Sequence, residues 1–202
     1  MDTQETIRRR RSIRRYKPND IPDDALNRLL EAMRLAPSAG NSQPWKFIVV
    51  RDEATRSKVV ECCQFRTLEG KRIKQNWISE APVIIVGCGL KKEASTGYYE
   101  SGDRVIVYRW EFGDEEPPTE YESTVDVDLV IALEHLVLAA TAEGIGTCWI
   151  GGLNEPLLKD ALDIPDDVRA AVAVTLGYPI SWPEARPRKS LDEIVCYDRY
   201  CS

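Results

Sequence analysis

Histidine is nearly absent from this chain: His135 is the single one among 202 residues, and none of the six cysteines forms a C-x-x-C pair. A structural zinc or iron–sulfur site needs about four soft ligands at close spacing, so no metal centre is expected. One histidine, with no serine in a nucleophile-elbow setting, leaves a hydrolytic triad without support. His135 lies in an apolar helical pattern and reads as a structural or interface residue. No uncharged apolar run approaches about 18 residues, so no membrane-spanning helix is expected. Net positive charge is missing too, with 27 Lys and Arg against 33 Asp and Glu, a balance of −6. That argues against a general nucleic-acid binder and leaves room only for a local basic patch. There is no internal repeat and no low-complexity linker, and this length buries one sizeable core, so a single domain over 1–202 is expected. The opening Met1-Asp2-Thr3-Gln4-Glu5 is acidic and polar, unlike a secretory signal, and points to a cytoplasmic protein. Cys88 and Cys148 fall in apolar strand patterns and read as small buried hydrophobes. Adjacent Cys62 and Cys63 read as a quiet helical pair rather than a redox couple.

What is present alternates in period. Asp2 and Glu5 form a capping-box pattern that opens a short helix running through the arginines. Pro22-Asp23-Asp24 opens a second helix, with Leu26, Leu29, Leu30 and Met33 on one face. Pro37 stops it. Phe47-Ile48-Val49-Val50 reads as a strand, 53–64 and 67–79 as helices, and 82–88 as a second strand. Residues 89–124 are irregular, rich in aromatics, and carry the acidic run Gly113-Asp114-Glu115-Glu116-Pro117-Pro118. Residues 126–143 form a helix apolar on almost every side, which belongs in a core or at an obligate interface. A strand at 147–150, a helix near 155–162, a strand at 171–176 and a polar tail follow. The order of elements is compatible with α+β or α/β.

Three stretches could carry chemistry. Residues 8–17 hold seven basic side chains in ten. They fit a solvated helix end, a nucleic-acid arm or an anion site; arginine's planar fork and the Ser12 hydroxyl suit a phosphate. With Ile13 buried, Ser12 and Arg14 would share a ligand-facing side. Ala36-Pro37-Ser38-Ala39-Gly40-Asn41-Ser42-Gln43-Pro44-Trp45 brackets small and amide residues between prolines. It is either a plain helix stop and turn or a polar ligand loop. Residues 144–152 contain four glycines, which permit close approach of backbone to ligand without the spacing of a dinucleotide fingerprint. The tail Arg186-Pro187-Arg188-Lys189 is solvated charge or a second phosphate clamp.

Taken together, Arg10-Arg11-Ser12-Ile13-Arg14, the P-S-x-x-N-S-Q-P-W loop, Gly144-Ile145-Gly146-Thr147-Cys148-Trp149-Ile150-Gly151-Gly152, and Leu176-Gly177-Tyr178-Pro179 before a basic tail resemble the nitroreductase family of FMN flavoproteins. The resemblance spans nearly the whole chain. It implies an α+β fold with a mixed central β-sheet flanked by helices, in an intertwined homodimer with FMN at the subunit interface. It implies that Arg10, Arg11 and Ser12 hold the phosphate and ribityl end, and that Arg14 is a cation near the flavin pyrimidine. Pro37, Ser38 and Asn41 would come from the partner subunit, and Trp149, Ile150, Gly151 and Gly152 would run along the ring. The tail would reach across the partner and carry Arg186 and Arg188 to the phosphate. The implied activity is ping-pong reduction of nitroaromatic, quinone or related small acceptors, with NAD(P)H as donor, no catalytic side chain beyond Arg14's electrostatic role, no metal, no nucleic acid and no membrane. The family also holds dehalogenases, a flavin-destroying synthase and peptide-heterocycle dehydrogenases. A dedicated substrate with poor nicotinamide use, or flavin binding without turnover, therefore stays open. Residues 89–124 depart from the pattern; in this family such an insertion is a substrate lid.

Overall fold

Short-range signals set the first helices. In the computed structural model, which describes residues 2–66, 71–90, 96–98, 104–106 and 123–201, α1 spans Thr3–Arg9. Its Asp2 cap accepts from the Glu5 N–H at 2.8 Å. The chain leaves the helix at Arg10, earlier than the run of arginines suggested, and continues extended. α2 (Asp23–Arg34) follows Pro22 and buries Leu26, Leu29 and Met33, with Leu30 partly buried beside them. That is the face expected from the spacing.

The central sheet has the order β1-β4-β8-β7, from Trp45–Val50, Val83–Leu90, Val168–Gly177 and Gly146–Ile150. Its ladders are all antiparallel. The mixed character expected of it is confined, among the described residues, to one parallel bridge, Ser12 with Thr147. β4 and β8 are central and covered on both faces, which is why β4 reads as one apolar run. Val83 and Ile85 face α2 and α4 (Ser123–Ala142), while Ile84, Val86 and Cys88 face α3 (Glu53–Cys62) and α5 (Glu155–Leu162). The period of two in β4 thus feeds two cores.

α4 supplies the thickest part of the first core. Leu129, Leu133 and Leu136 are fully buried, each contributing about 1.5–3 kcal/mol relative to exposure. It lies close on the sheet because residue 87 is glycine; a Cβ there would stand 3.1 Å from Leu129 Cδ1 and Leu133 Cδ1. His135 Nδ1 sits 3.3 Å from the Ala32 carbonyl of α2, a contact between packed helices.

Two expectations change. Helix α3 ends at Cys62, and the next helix is not formed among the described residues. Instead β2 (Gln64–Arg66) pairs with β3 (Arg72–Lys74), and a 3₁₀ turn covers Asn76–Glu80. Residues 67–70 lie outside the described residues. Ile73, Trp77 and Ile78 are too few to make a helical face, so strand pairing wins. Within 89–124, β4 runs on to Leu90 and β5 (Thr96–Tyr98) pairs antiparallel with β6 (Arg104–Ile106). The acidic run and the lid expected there lie outside the described residues. Cys62, Cys63, Cys88 and Cys148 are free and buried, while Cys196 and Cys201 form a disulfide in the exposed tail. Among the described residues, no helix is long and apolar enough to cross a membrane.

Candidate functional site

The arginine-rich segment is held as a strand-like strap. Ile13 N–H donates to the Thr147 carbonyl at 2.8 Å, and Lys17 N–H to the Tyr178 carbonyl at 2.8 Å. Ile13 is buried and packs where residue 146 has no side chain; a Cβ there would lie 2.6 Å from Ile13 Cγ1. Tyr16 locks the strap from below. Its hydroxyl donates to the Ile13 carbonyl at 2.6 Å and lies 2.7 Å from Thr175 Oγ1, which donates to the Cys148 carbonyl. Burial pushes the Tyr16 phenol above its ordinary range, so it stays a donor.

The tail folds back along this strap. Ile180 N–H donates to the Arg15 carbonyl at 3.1 Å. Trp182 packs against Ile13 and Tyr16, and the Arg9 guanidinium stands 5.2 Å from its ring centre. Arg11 makes the tie: Nε donates to the Pro183 carbonyl at 3.2 Å, and Nη1 to the Arg8 and Arg10 carbonyls at 2.6 and 2.9 Å.

Between strap and tail lies a cavity of about 960 Å³. Arg10, Arg11, Ser12, Arg14, Arg186 and Arg188 all line it. With Arg8 and Arg15 the lining holds seven arginines against one acid, Glu184. Six of the thirteen residues singled out from the sequence are therefore brought together, from opposite ends of the chain. In the single chain Arg186 and Arg188 line the same cavity as Arg10. The arginines are not equivalent. Arg15 pairs with Glu80 at 3.0 Å, Arg14 lies 5.5 Å from the Trp77 ring centre, and Arg11 is committed to carbonyls.

The other seven sit apart from the lining. Trp149 and Ile150 end β7, and Gly151 and Gly152 follow it. Ile150 is in the core, so only its backbone can meet a ligand. Gly151 is exposed, with open space where a Cβ would be. This segment is joined to the strap by the Ser12–Thr147 bridge, with Ser12 near the Cys148 thiol. Pro37, Ser38 and Asn41 lie in the loop before β1 and do not line this cavity.

Sequence reasoning missed Glu134. This half-buried carboxylate of α4 lies near the Trp149 side chain and faces Arg10. Burial raises its pKa against those two influences. A lone glutamate within an apolar helix was the available signal, because a buried charge needs a partner. Burial likewise raises the Cys148 thiol, despite nearby Arg14 and Ser12.

The arrangement offers a concave, cationic, partly buried site beside an open backbone, suited to a phosphate-bearing planar ligand. Comparison with known proteins gives the family. The Nitroreductase family model matches residues 7–178. A protein of Archaeoglobus fulgidus named as a candidate NADH dehydrogenase/NAD(P)H nitroreductase is 32% identical, over 84% of this chain and 81% of its own length. The crystal structure of a nitroreductase family protein from Clostridium novyi is 31% identical, with a TM-score of 0.66 over 89% of this chain and 87% of that one. The NADPH:FMN oxidoreductase of Vibrio harveyi, complexed with NAD+, is alike in fold, with a TM-score of 0.79 at 23% identity over 99% of this chain and 78% of that one. The chain belongs to the nitroreductase family.

Proposed function

We propose that this protein is an FMN-dependent oxidoreductase that takes reducing equivalents from NAD(P)H and passes them to nitroaromatic, quinone or related small acceptors. The observation that carries the reading is the convergence of Arg10 and Ser12 with Arg186 and Arg188 on one cavity. A phosphate near −2 in a partly buried site needs more than one cation. Arg10, Arg186 and Arg188 would take the phosphate, and Ser12 the ribityl end. Arg11 would act through the tail it fastens. When bound, FMN would supply the redox chemistry of a ping-pong transfer from nicotinamide to acceptor. Arg14 would place fixed positive charge beside the pyrimidine edge and favour the reduced, anionic ring. Trp149 to Gly152 would lay open backbone along the ring, with Glu134 near Trp149.

The working unit in this proposal is a homodimer with FMN at the subunit interface. Val127 and Val130 of α4 are 57% and 45% exposed in the single chain, and Leu191, Ile194, Tyr197 and Tyr200 of the tail are also exposed. Apolar surface of this extent calls for a partner copy. Pro37, Ser38 and Asn41 would approach the flavin of the other subunit. A cytoplasmic location belongs to the same proposal, without membrane or nucleic-acid partners. Purified protein should be yellow, release FMN on denaturation, and oxidise NADH or NADPH with menadione or nitrofurazone. A colourless protein that takes up no added FMN ends the proposal. Light scattering should give twice the chain mass.

A further inference from the structure

The loop before β1 holds an unusual backbone. Gly40, Asn41 and Gln43 have φ values of 54, 53 and 48°. Asn41 and Gln43 carry a Cβ, so the left-handed region is disfavoured for both, and such a turn persists only where its surroundings over-determine it. Most of its hydrogen bonds are internal. Asn41 N–H donates to the Ser38 carbonyl at 3.0 Å, Ser42 N–H to the Ala39 carbonyl at 3.0 Å, and Gln43 N–H to Ser38 Oγ at 2.9 Å.

Among the described residues, one hydrogen bond ties this turn to a distant part of the chain. Ala39 N–H donates to Asp128 Oδ1 at 3.2 Å, across 89 residues. Asp128 stands on α4 and is only 5% exposed. Its second oxygen, Oδ2, has no partner among the described residues, and neither does the buried Ser42 Oγ beside Ala39 in the same turn. Burial also raises the Asp128 carboxyl, with the Ala39 amide acting against it. A carboxylate that gives up water for a single backbone amide is an expensive group to keep on a helix. Its one visible return is the placement of Ala39.

We propose that Asp128 is a positioning residue: it pins Ala39 to α4 and so holds the Gly40-Asn41 turn in the conformation that presents Ser38 and Asn41 to the ligand. The pin itself stands on the geometry above. What the turn is presented to, the flavin of the partner subunit, rests on the proposed function.

Three variants of the full-length protein test this. Asp128→Ala removes the acceptor. Asp128→Asn keeps a carboxamide oxygen in its place. Ala39→Pro removes the donor from the other side, and Ser38 (φ −142°, ψ 161°) already has the extended backbone that a following proline requires. Hydrogen exchange of the 39–43 amides (40–43 in Ala39→Pro, which has no amide at 39) is read first. It should rise by about tenfold or more in Asp128→Ala and Ala39→Pro and by less than about threefold in Asp128→Asn, with β4 and β8 amides unchanged. FMN affinity of the apoprotein should weaken by about 5- to 20-fold in the first two, the scale of one lost placement, and recover in Asp128→Asn. Unchanged exchange at 39–43 in either deleting variant overturns the proposal. So does faster exchange with FMN affinity and KM as in the parent, because the turn then presents nothing. If Asp128→Ala does not fold, Ala39→Pro carries the test. If the parent binds no FMN, the flavin reading fails, and the exchange measurement still decides whether the pin exists.

Discussion

Replacing Arg11 by alanine separates two roles that sequence alone merges. Its position beside Arg10 suggests a phosphate ligand, yet its guanidinium is spent on the Pro183, Arg8 and Arg10 carbonyls. The bond to Pro183 precedes the stretch that brings Arg186 and Arg188 to the cavity. Without it, the tail is still held by the Ile180–Arg15 and Lys17–Tyr178 backbone bonds, but nothing comparable follows Trp182 on the strap among the described residues. A charge-assisted hydrogen bond to the flavin phosphate is worth about 1.5–3 kcal/mol, so Arg188→Ala should weaken FMN binding by about 10- to 150-fold. Arg11→Ala should cost at least as much, because it misplaces both tail arginines at once. The double variant should then bind no more weakly than Arg11→Ala alone. The coupling energy would equal nearly the whole Arg188 effect, about 1.5–3 kcal/mol. If Arg11 touched the phosphate directly, the two losses would add to about 10²–10⁴-fold. Fluorescence titration of the four apoproteins with FMN, at one fixed ionic strength and with folding checked by circular dichroism, completes the cycle. Additivity within about 0.5 kcal/mol would refute the tethering role.

Four further outcomes follow from particular contacts. Gly146→Ala puts a Cβ 2.6 Å from Ile13 Cγ1 and 2.9 Å from Ile13 Cβ, so it should destabilise by about 1–3 kcal/mol in denaturant melts and loosen FMN binding through the displaced strap. Arg14→Gln should lower the flavin midpoint potential by about 30 mV for each 1.4 kcal/mol of lost charge stabilisation, and Arg14→Lys should retain much of it; an unchanged potential in spectroelectrochemical titration removes the electrostatic role. Burial raises the Cys63 and Cys88 thiols to about 12 and about 11, so at pH 8 their thiolate fractions are on the order of 10⁻⁴ and 10⁻³; a thiol-specific chromogenic disulfide should react slowly with folded protein and reveal four thiols on denaturation, with Cys196 and Cys201 oxidised. Glu134 has a folded-state pKa above its ordinary value, so its contribution to stability is complete below the usual glutamate range and is lost as pH rises through the folded value; Glu134→Gln should flatten that part of a stability–pH curve, and an unaltered slope would count against the burial.

Much of the fold is legible in the chain because it is local. The α2 stripe, the Asp2 cap and the buried run of β4 each carry a period or a stop that a short window resolves. Residues 64–80 are not local in this sense. Ile73, Trp77 and Ile78 sit at spacings that a helix would tolerate, and only the antiparallel partner at 64–66 makes 72–74 a strand. The site divides along the same line. Residue type marked both arginine clusters as anion ligands, but their meeting depends on the strap lying between β7 and the turn after β8, which no local window contains. Arg11 was marked for its charge, and its guanidinium donates to carbonyls. Glu134 and Asp128 share a cause of omission. Both stand on α4, whose apolar residues dominate any average, and each acquires meaning only from the group brought to it, Trp149 for one and the Ala39 amide for the other. The same average explains why α4 could not be assigned to core or interface from its sequence. Leu129, Leu133 and Leu136 turn inward to α2 and the sheet while Val127 and Val130 remain on the surface of the single chain. A helix apolar all round therefore has two surfaces, one packed into the core and one left open at Val127 and Val130 on the single chain.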